Sequence, residues 1–229
     1  MEQEEPPAVR RAPWILAALL VAGCAGAPSA AAPVPTPAPA ALPAGTYTSS
    51  AFQPAVTYTV PAGWRIASDS PDYFALQPVN SEITGIHLFR DPLAASQDAA
   101  CPRSAEPGVG MLSPQLATWI RGLPGMIASS PRIVTIGGLR GVELDLALNT
   151  GWTASCPVAD GIPSVPLFTG ADGNLHWIVA GSERLRVALL DVPGGGTVVV
   201  DVDAYDGTLM DGLVAAAAPI VRSLSFAAP

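Results

Sequence analysis

The carboxylates of Asp201, Asp203 and Asp206, set in Asp201-Val202-Asp203-Ala204-Tyr205-Asp206-Gly207, form the sharpest cluster of reactive groups in the chain. Several oxygens at close spacing ahead of a glycine suit a hard cation such as calcium. The spacing departs from the EF-hand loop, which places its third acid one residue earlier and closes on a distant glutamate. Ordinary roles compete for the same residues. Asp203 has a prospective ion-pair partner in Arg186, and Asp206 sits before a helix, where negative charge is favoured. The ordinary roles are the expectation, so no metal and no cofactor are assigned, and calcium is kept as the alternative.

Glu143 and Asp145 lie two apart and share a strand face, as a catalytic pair of acids would; a solvated strand face has the same pattern. His87 and His176 are the only histidines, each in an apolar run. A triad with Ser182 lacks the Gly-x-Ser-x-Gly elbow, and no second metal-ligand motif accompanies either imidazole. Gly194-Gly195-Gly196 is followed by neither a helix start nor a lysine, so these glycines are read as a turn. No catalytic residue is assigned.

The elements that must position these groups follow from periodicity. Thr57–Val60, Asp72–Leu76 and Gly85–Phe89 read as strands, and residues 91–110 as a loop. Ser113-Pro114 opens a helix with serine as its cap, and Gly122 and Pro124 end it. Ile133–Ile136, Gly137-Gly138 and Leu139–Leu148 make a hairpin with Val142, Leu144, Leu146 and Leu148 on one face. Val165–Thr169, Leu175–Ala180, Arg184–Val192 and Thr197–Tyr205 read as one meander. Across its last turn, a register pairing Val192 with Thr197 brings Leu189 to Val200, Val187 to Val202 and Arg186 to Asp203. A closing helix starts at Thr208 with Asp211 completing a capping box. It buries Leu209, Leu213, Ala216, Ala217 and Ile220, with Pro219 expected to kink or split it. Antiparallel strands with a mid-chain helix and a C-terminal helix make an α+β domain.

Cysteine usage adds a compartment. Of three cysteines, Cys24 follows an apolar run from Ala12 to Gly23 preceded by Arg10-Arg11. That run is too short to span a membrane and suits a signal peptide. Val21-Ala22-Gly23-Cys24 resembles the lipobox of bacterial lipoproteins. The resemblance implies removal of residues 1–23, diacylglyceryl attachment to the Cys24 thiol and acylation of its new amino group, which anchors the protein to the bacterial cell membrane outside the cytoplasm. The adjacent arginines leave Sec and twin-arginine export both open. Residues 24–44 are an Ala/Pro-rich tether able to extend roughly 50–60 Å. Cys101 and Cys156 remain for residues 45–229, and an exported compartment favours their pairing as a disulfide.

The chain is 229 residues long with a formal net charge of −8 and no lysine. An acidic domain of this kind is not expected to bind nucleic acid, because phosphate contacts need a basic surface. Tyr58-Thr59-Val60-Pro61-Ala62-Gly63-Trp64 and Ile220-Val221-Arg222-Ser223-Leu224-Ser225-Phe226 resemble the two ends of PsbP-like domains, covering about 45–229. The resemblance implies an antiparallel sheet flanked by helices, and docking or binding in place of catalysis. It carries over no functional residue, because the matching positions are core and turn. The resulting expectation is a membrane-anchored lipoprotein whose domain binds a protein or envelope component. The alternative is a small apolar ligand or lipid held in a pocket between the sheet and the C-terminal helix, beneath Leu213 and Ile220.

Overall fold

The strand elements are β1 (Gly45–Thr48), β2 (Val56–Val60), β3 (Trp64–Asp69), β4 (Tyr73–Pro78), β5 (Gly85–Arg90), β6 (Leu93–Ala94), β7 (Met126–Ala128), β8 (Arg132–Ile136) and β9 (Leu139–Leu148). They continue with β10 (Ser164–Thr169), β11 (His176–Ala180), β12 (Arg184–Asp191), β13 (Thr197–Ala204) and β14 (Ser225–Phe226). The helices are α1 (Ser113–Gly122) and α2 (Met210–Ser223), with short 3-10 turns at Pro157–Ala159 and Gly207–Leu209. This computed structural model describes residues 40–228. The lipobox, Cys24 and most of the tether lie outside the described residues. Among the described residues, no helix is long and apolar enough to cross a membrane.

An eight-stranded antiparallel sheet, ordered β3-β4-β5-β13-β12-β9-β7 with β8 also on β9, runs through the middle. One face packs against α2 and the small sheet β1-β2-β14, through Phe52, Tyr58, Leu213, Ala217, Ile220, Val200 and Val202. The other face packs against α1 and the small sheet β11-β10-β6, through Leu116, Ile120, Phe168, Phe89, Leu189 and Val199. The α+β class is therefore as the pattern predicts, but the layering is not. A sheet covered on both faces buries both sets of alternating side chains. All eight residues of β13 are accordingly buried.

That double burial explains where the expected meander breaks. β10 and β11 pair with each other and with β6 in a separate sheet, while β12 pairs with β9 and β13. The β12–β13 register is also one residue away from the expected one: Leu189 faces Val199, Val187 faces Asp201 and Leu185 faces Asp203. Because side chains alternate, a slip of one exchanges the two faces. Both faces of this hairpin are rich in Val and Leu, so the apolar pattern fits either register, and only the neighbouring strands β5 and β9 distinguish them.

The β8–β9 hairpin forms as predicted, with Gly137 and Gly138 both at positive φ, as a two-residue turn requires. Helix α1 has the predicted span, but its cap differs. Leu112 is the cap residue and donates its N–H to Gln115 Oε1 at 3.2 Å. Ser113 instead bonds Asp191 on β12, through N–H to Oδ1 at 3.0 Å and through its hydroxyl to Oδ2 at 2.9 Å. Helix α2 begins after a 3-10 turn capped by Asp206 and continues through Pro219 as one helix. Its buried residues are Met210, Leu213, Ala217 and Ile220, while Leu209 and Ala216 are exposed.

Asp69 organises the loop before β2. It accepts from Ser50 N at 2.6 Å, Ser50 Oγ at 2.7 Å, Ala51 N at 3.1 Å and Phe52 N at 3.0 Å. Burial raises this carboxyl, but the Ser50 hydroxyl and the backbone donors outweigh it and hold it below its ordinary value. Asp69→Ala is expected to cost about 1–3 kcal/mol at pH 7 in urea unfolding, by loss of charge-assisted bonds. A lowered folded pKa means the contribution is present above about pH 4 and lost in more acid solution. The gap between wild type and variant should therefore close as the pH falls through that range.

Candidate functional site

Asp201, Asp203 and Asp206 do not form one site. Asp206 is exposed and caps the 3-10 turn, accepting from Thr208 N at 3.0 Å and Thr208 Oγ1 at 2.7 Å, which hold its carboxyl below the ordinary value. Asp201 and Asp203 are both fully buried on β13. Among the described residues, no group of three His, Cys, Asp or Glu side chains is placed to hold a metal ion. Arg186 does not meet Asp203. It bonds Asp145 at 2.6 Å, and Arg132 reaches Glu143 at 2.7 Å and Asp145 at 3.2 Å. The one-residue register difference causes this exchange of partners.

Glu143 and Asp145 share a strand face as predicted, and both are ion-paired with those arginines. Glu143, Arg186 and Arg222 border a cleft of about 130 Å³ between the sheet and α2. That is below the several hundred cubic ångströms usual for a ligand site. Leu213 and Ile220, beneath which the apolar pocket was expected, are packed into the core.

Among the described residues, neither histidine is hydrogen-bonded to a serine, threonine or cysteine. His87 is buried, with Nδ1 at 2.9 Å from the Tyr73 hydroxyl and Nε2 at 2.9 Å from the Ile83 carbonyl. The carbonyl can only accept, so Nε2 carries the proton and Tyr73 donates to Nδ1. Burial pushes this imidazole down to about 4, against the opposing Ile83 bond, and it is neutral at pH 7. Trp177 and Tyr73 pack against its ring, with centroids 4.7 and 6.0 Å away. His176 is half-buried and lowered by burial and then by the Arg103 charge. Ser182 lies in the turn between β11 and β12, where its carbonyl accepts from Gly207 N at 3.1 Å. Gly194, Gly195 and Gly196 form the β12–β13 turn, all at positive φ.

Cys101 and Cys156 form a disulfide, with Cα atoms 5.5 Å apart. It ties the long loop after β6 to the segment before β10. Immediately beyond it the chain presents Val158 and Ile162, which are 67% and 41% exposed. With Ile178 and Ala180 of β11 and with Tyr205, they line a groove of about 290 Å³. β11 is the outer strand of its sheet, so the groove runs beside a sheet edge. Periodicity gives no sign of this surface, because Val158 and Ile162 belong to no strand or helix pattern. The disulfide is the one sequence feature that points toward it.

No protein-family model matches the chain, and no curated protein matches it. Among solved structures, the chain is similar to the Ran-binding protein Mog1p of Saccharomyces cerevisiae. The likeness has 12% identity, covers 80% of this chain and 96% of that one, and has a TM-score of 0.37. At that score it carries no argument.

Proposed function

We propose that the chain is a lipoprotein anchored through Cys24 to the bacterial cell membrane, and that its PsbP-like α+β domain binds an extracytoplasmic protein without catalysis. The observation that carries the binding reading is the exposed apolar groove of Val158, Ile162, Ile178 and Tyr205 beside the β11 edge. Large apolar side chains grouped at the surface of a well-packed domain mark contact sites. The nearby disulfide limits the mobility of the segment that carries two of them, so less ordering entropy opposes association. Anchoring rests on the Val21-Ala22-Gly23-Cys24 lipobox pattern and on the Ala/Pro-rich tether that follows it.

Two measurements test the two halves. Cys24→Ser is expected to move the protein from the membrane fraction to the soluble fraction; unchanged membrane retention overturns the anchor. A photo-crosslinking residue at Val158 or Tyr205 is expected to give one discrete adduct in cells, lost when Ile162→Asp is added to a still-folded chain. Adducts no different from those formed at the exposed Thr118 overturn the groove as the contact surface.

A further inference from the structure

Asp201 and Asp203 occupy alternate positions of β13 and so project from the same face of a sheet that is covered on both sides. Their cross-strand neighbours offer no donor side chain: Val187 and Leu185 on β12, and Gly85 opposite Asp203 on β5. His87, opposite Asp201, already uses both ring nitrogens. All four aspartate carboxyl oxygens are buried without a hydrogen-bond partner. The third acid, Glu183, is 3% exposed and lies in the turn that leads from β11 into β12. Its Oε2 accepts from Ala180 N at 2.7 Å, and its carboxyl lies against that of Asp203.

Buried carboxylates in contact need a donor between them, and here no arginine is among the charges acting on either aspartate. On the opposite face Arg186 bonds Asp145 and Arg132 bonds Glu143 and Asp145, and Arg184 pairs with Ala204 at the strand end. Tyr73 from β4 and His87 from β5 are the remaining titratable groups beside the cluster, and β11 contributes His176, which lies near Arg103. A carboxylic acid supplies the missing donor itself, giving its O–H to the neighbouring carboxylate.

We propose that Glu183, Asp201 and Asp203 form a buried proton-holding cluster that makes the fold pH-responsive, tightest when the protons are held and loosened as they leave. The joint that loosens is the turn of Gly181, Ser182 and Glu183, which connects the outer small sheet to the central sheet. Deprotonation places like charges on the two sides of that joint in a site closed to water. The device stands whether or not the groove along β11 binds a partner.

Burial, and then the charges of the neighbouring acids, raise the carboxyls of Asp201 and Asp203, and burial raises that of Glu183. A folded pKa above the unfolded one means the folded state binds the extra proton, so stability falls as pH rises above about 4. Buried neutral His87 gives the opposite slope between about pH 4 and 6.5. From about pH 8 the histidines are almost wholly neutral in both states, which leaves the carboxyl cluster to set the slope, with Tyr58 and Tyr73, both raised by burial, adding to it only as the pH nears the usual tyrosine range.

Urea unfolding of the full chain between pH 7 and pH 9 tests this. For each proton held only by the fold, the unfolding constant is expected to rise about tenfold per pH unit. Asp201→Asn/Asp203→Asn is expected to flatten that rise, with each single variant in between. A level wild-type profile, or an unchanged slope in the double variant, overturns the proposal. Should the double variant not fold, carboxyl carbon-13 NMR of the wild-type aspartates decides: two protonated aspartates at pH 7 support the cluster, and all aspartates ionised overturns it. Millimolar calcium, magnesium or manganese that restores the pH 7 stability at pH 9 also overturns it, since a cation and not a proton would then be the occupant.

Discussion

Phe89→Ala is expected to destabilise the domain by about 3–5 kcal/mol, among the largest single effects available in it. Phe89 is fully buried on β5, with its ring centroid 5.4 Å from Tyr73, 5.1 Å from Trp177 and 6.0 Å from Phe168. These partners come from β4, β11 and β10, so the ring joins the central sheet to the outer small one. Its removal takes away transfer energy and leaves a cavity that three aromatic neighbours on separate strands cannot collapse to fill. Phe89→Leu keeps much of the volume and should cost clearly less. Urea unfolding of the three proteins at pH 7 checks the order; equal stability of Phe89→Ala and wild type would remove Phe89 as the joint between the layers.

Removing the disulfide with Cys101→Ala/Cys156→Ala comes next. The bridge spans a sequence separation of 55 residues, for which the chain-entropy model gives roughly 4 kcal/mol. Measured losses run from about 2 to 5 kcal/mol, because structure persisting in the reduced chain and native strain shift the value. Alanine is the suitable replacement at Cys156, which is buried, since a serine hydroxyl there would need its own partner. Thermal unfolding with and without reductant should move the wild type toward the variant and leave the variant in place. A wild-type melting temperature unaffected by reductant would remove this contribution. Loss of the bridge should also loosen the segment carrying Val158 and Ile162, whose remaining ties include Cys156 N to Ser164 Oγ at 2.8 Å and the local bond Ile162 N to Ala159 O.

Much of the local structure was legible because short-range rules govern it. The β8–β9 hairpin is specified by Gly137-Gly138 between two apolar runs, and α1 by Pro114, Leu116, Ile120 and the terminating Gly122. Cys101 and Cys156 could be paired from their number and the inferred compartment, before any geometry. The ends of α2 were harder. Asp206 and not Thr208 supplies the cap, and Pro219 is accommodated in the helix without splitting it.

By itself the sequence determined the α+β class, nine of the fourteen described strands and both helices, because each follows from residues a few positions apart; β3 and the short strands β1, β6, β7 and β14 were not among them. It also determined the pattern around Cys24 on which the anchoring proposal depends. Only the tertiary structure decided which sheet each strand joined and which residue faced which. In Arg184-Leu185-Arg186-Val187-Ala188-Leu189-Leu190 and Val198-Val199-Val200-Asp201-Val202-Asp203 both faces are apolar enough for either of two registers. The choice fell to β5 and β9, which lie far away in sequence. That choice took Asp203 away from Arg186 and placed it with Asp201 and Glu183 in a closed interior. Of the three acids read as a surface cluster, two are therefore a buried pair that meets Glu183 from another turn, and the third, Asp206, is a cap elsewhere, because a one-residue shift in a strand reverses what is inside and what is out.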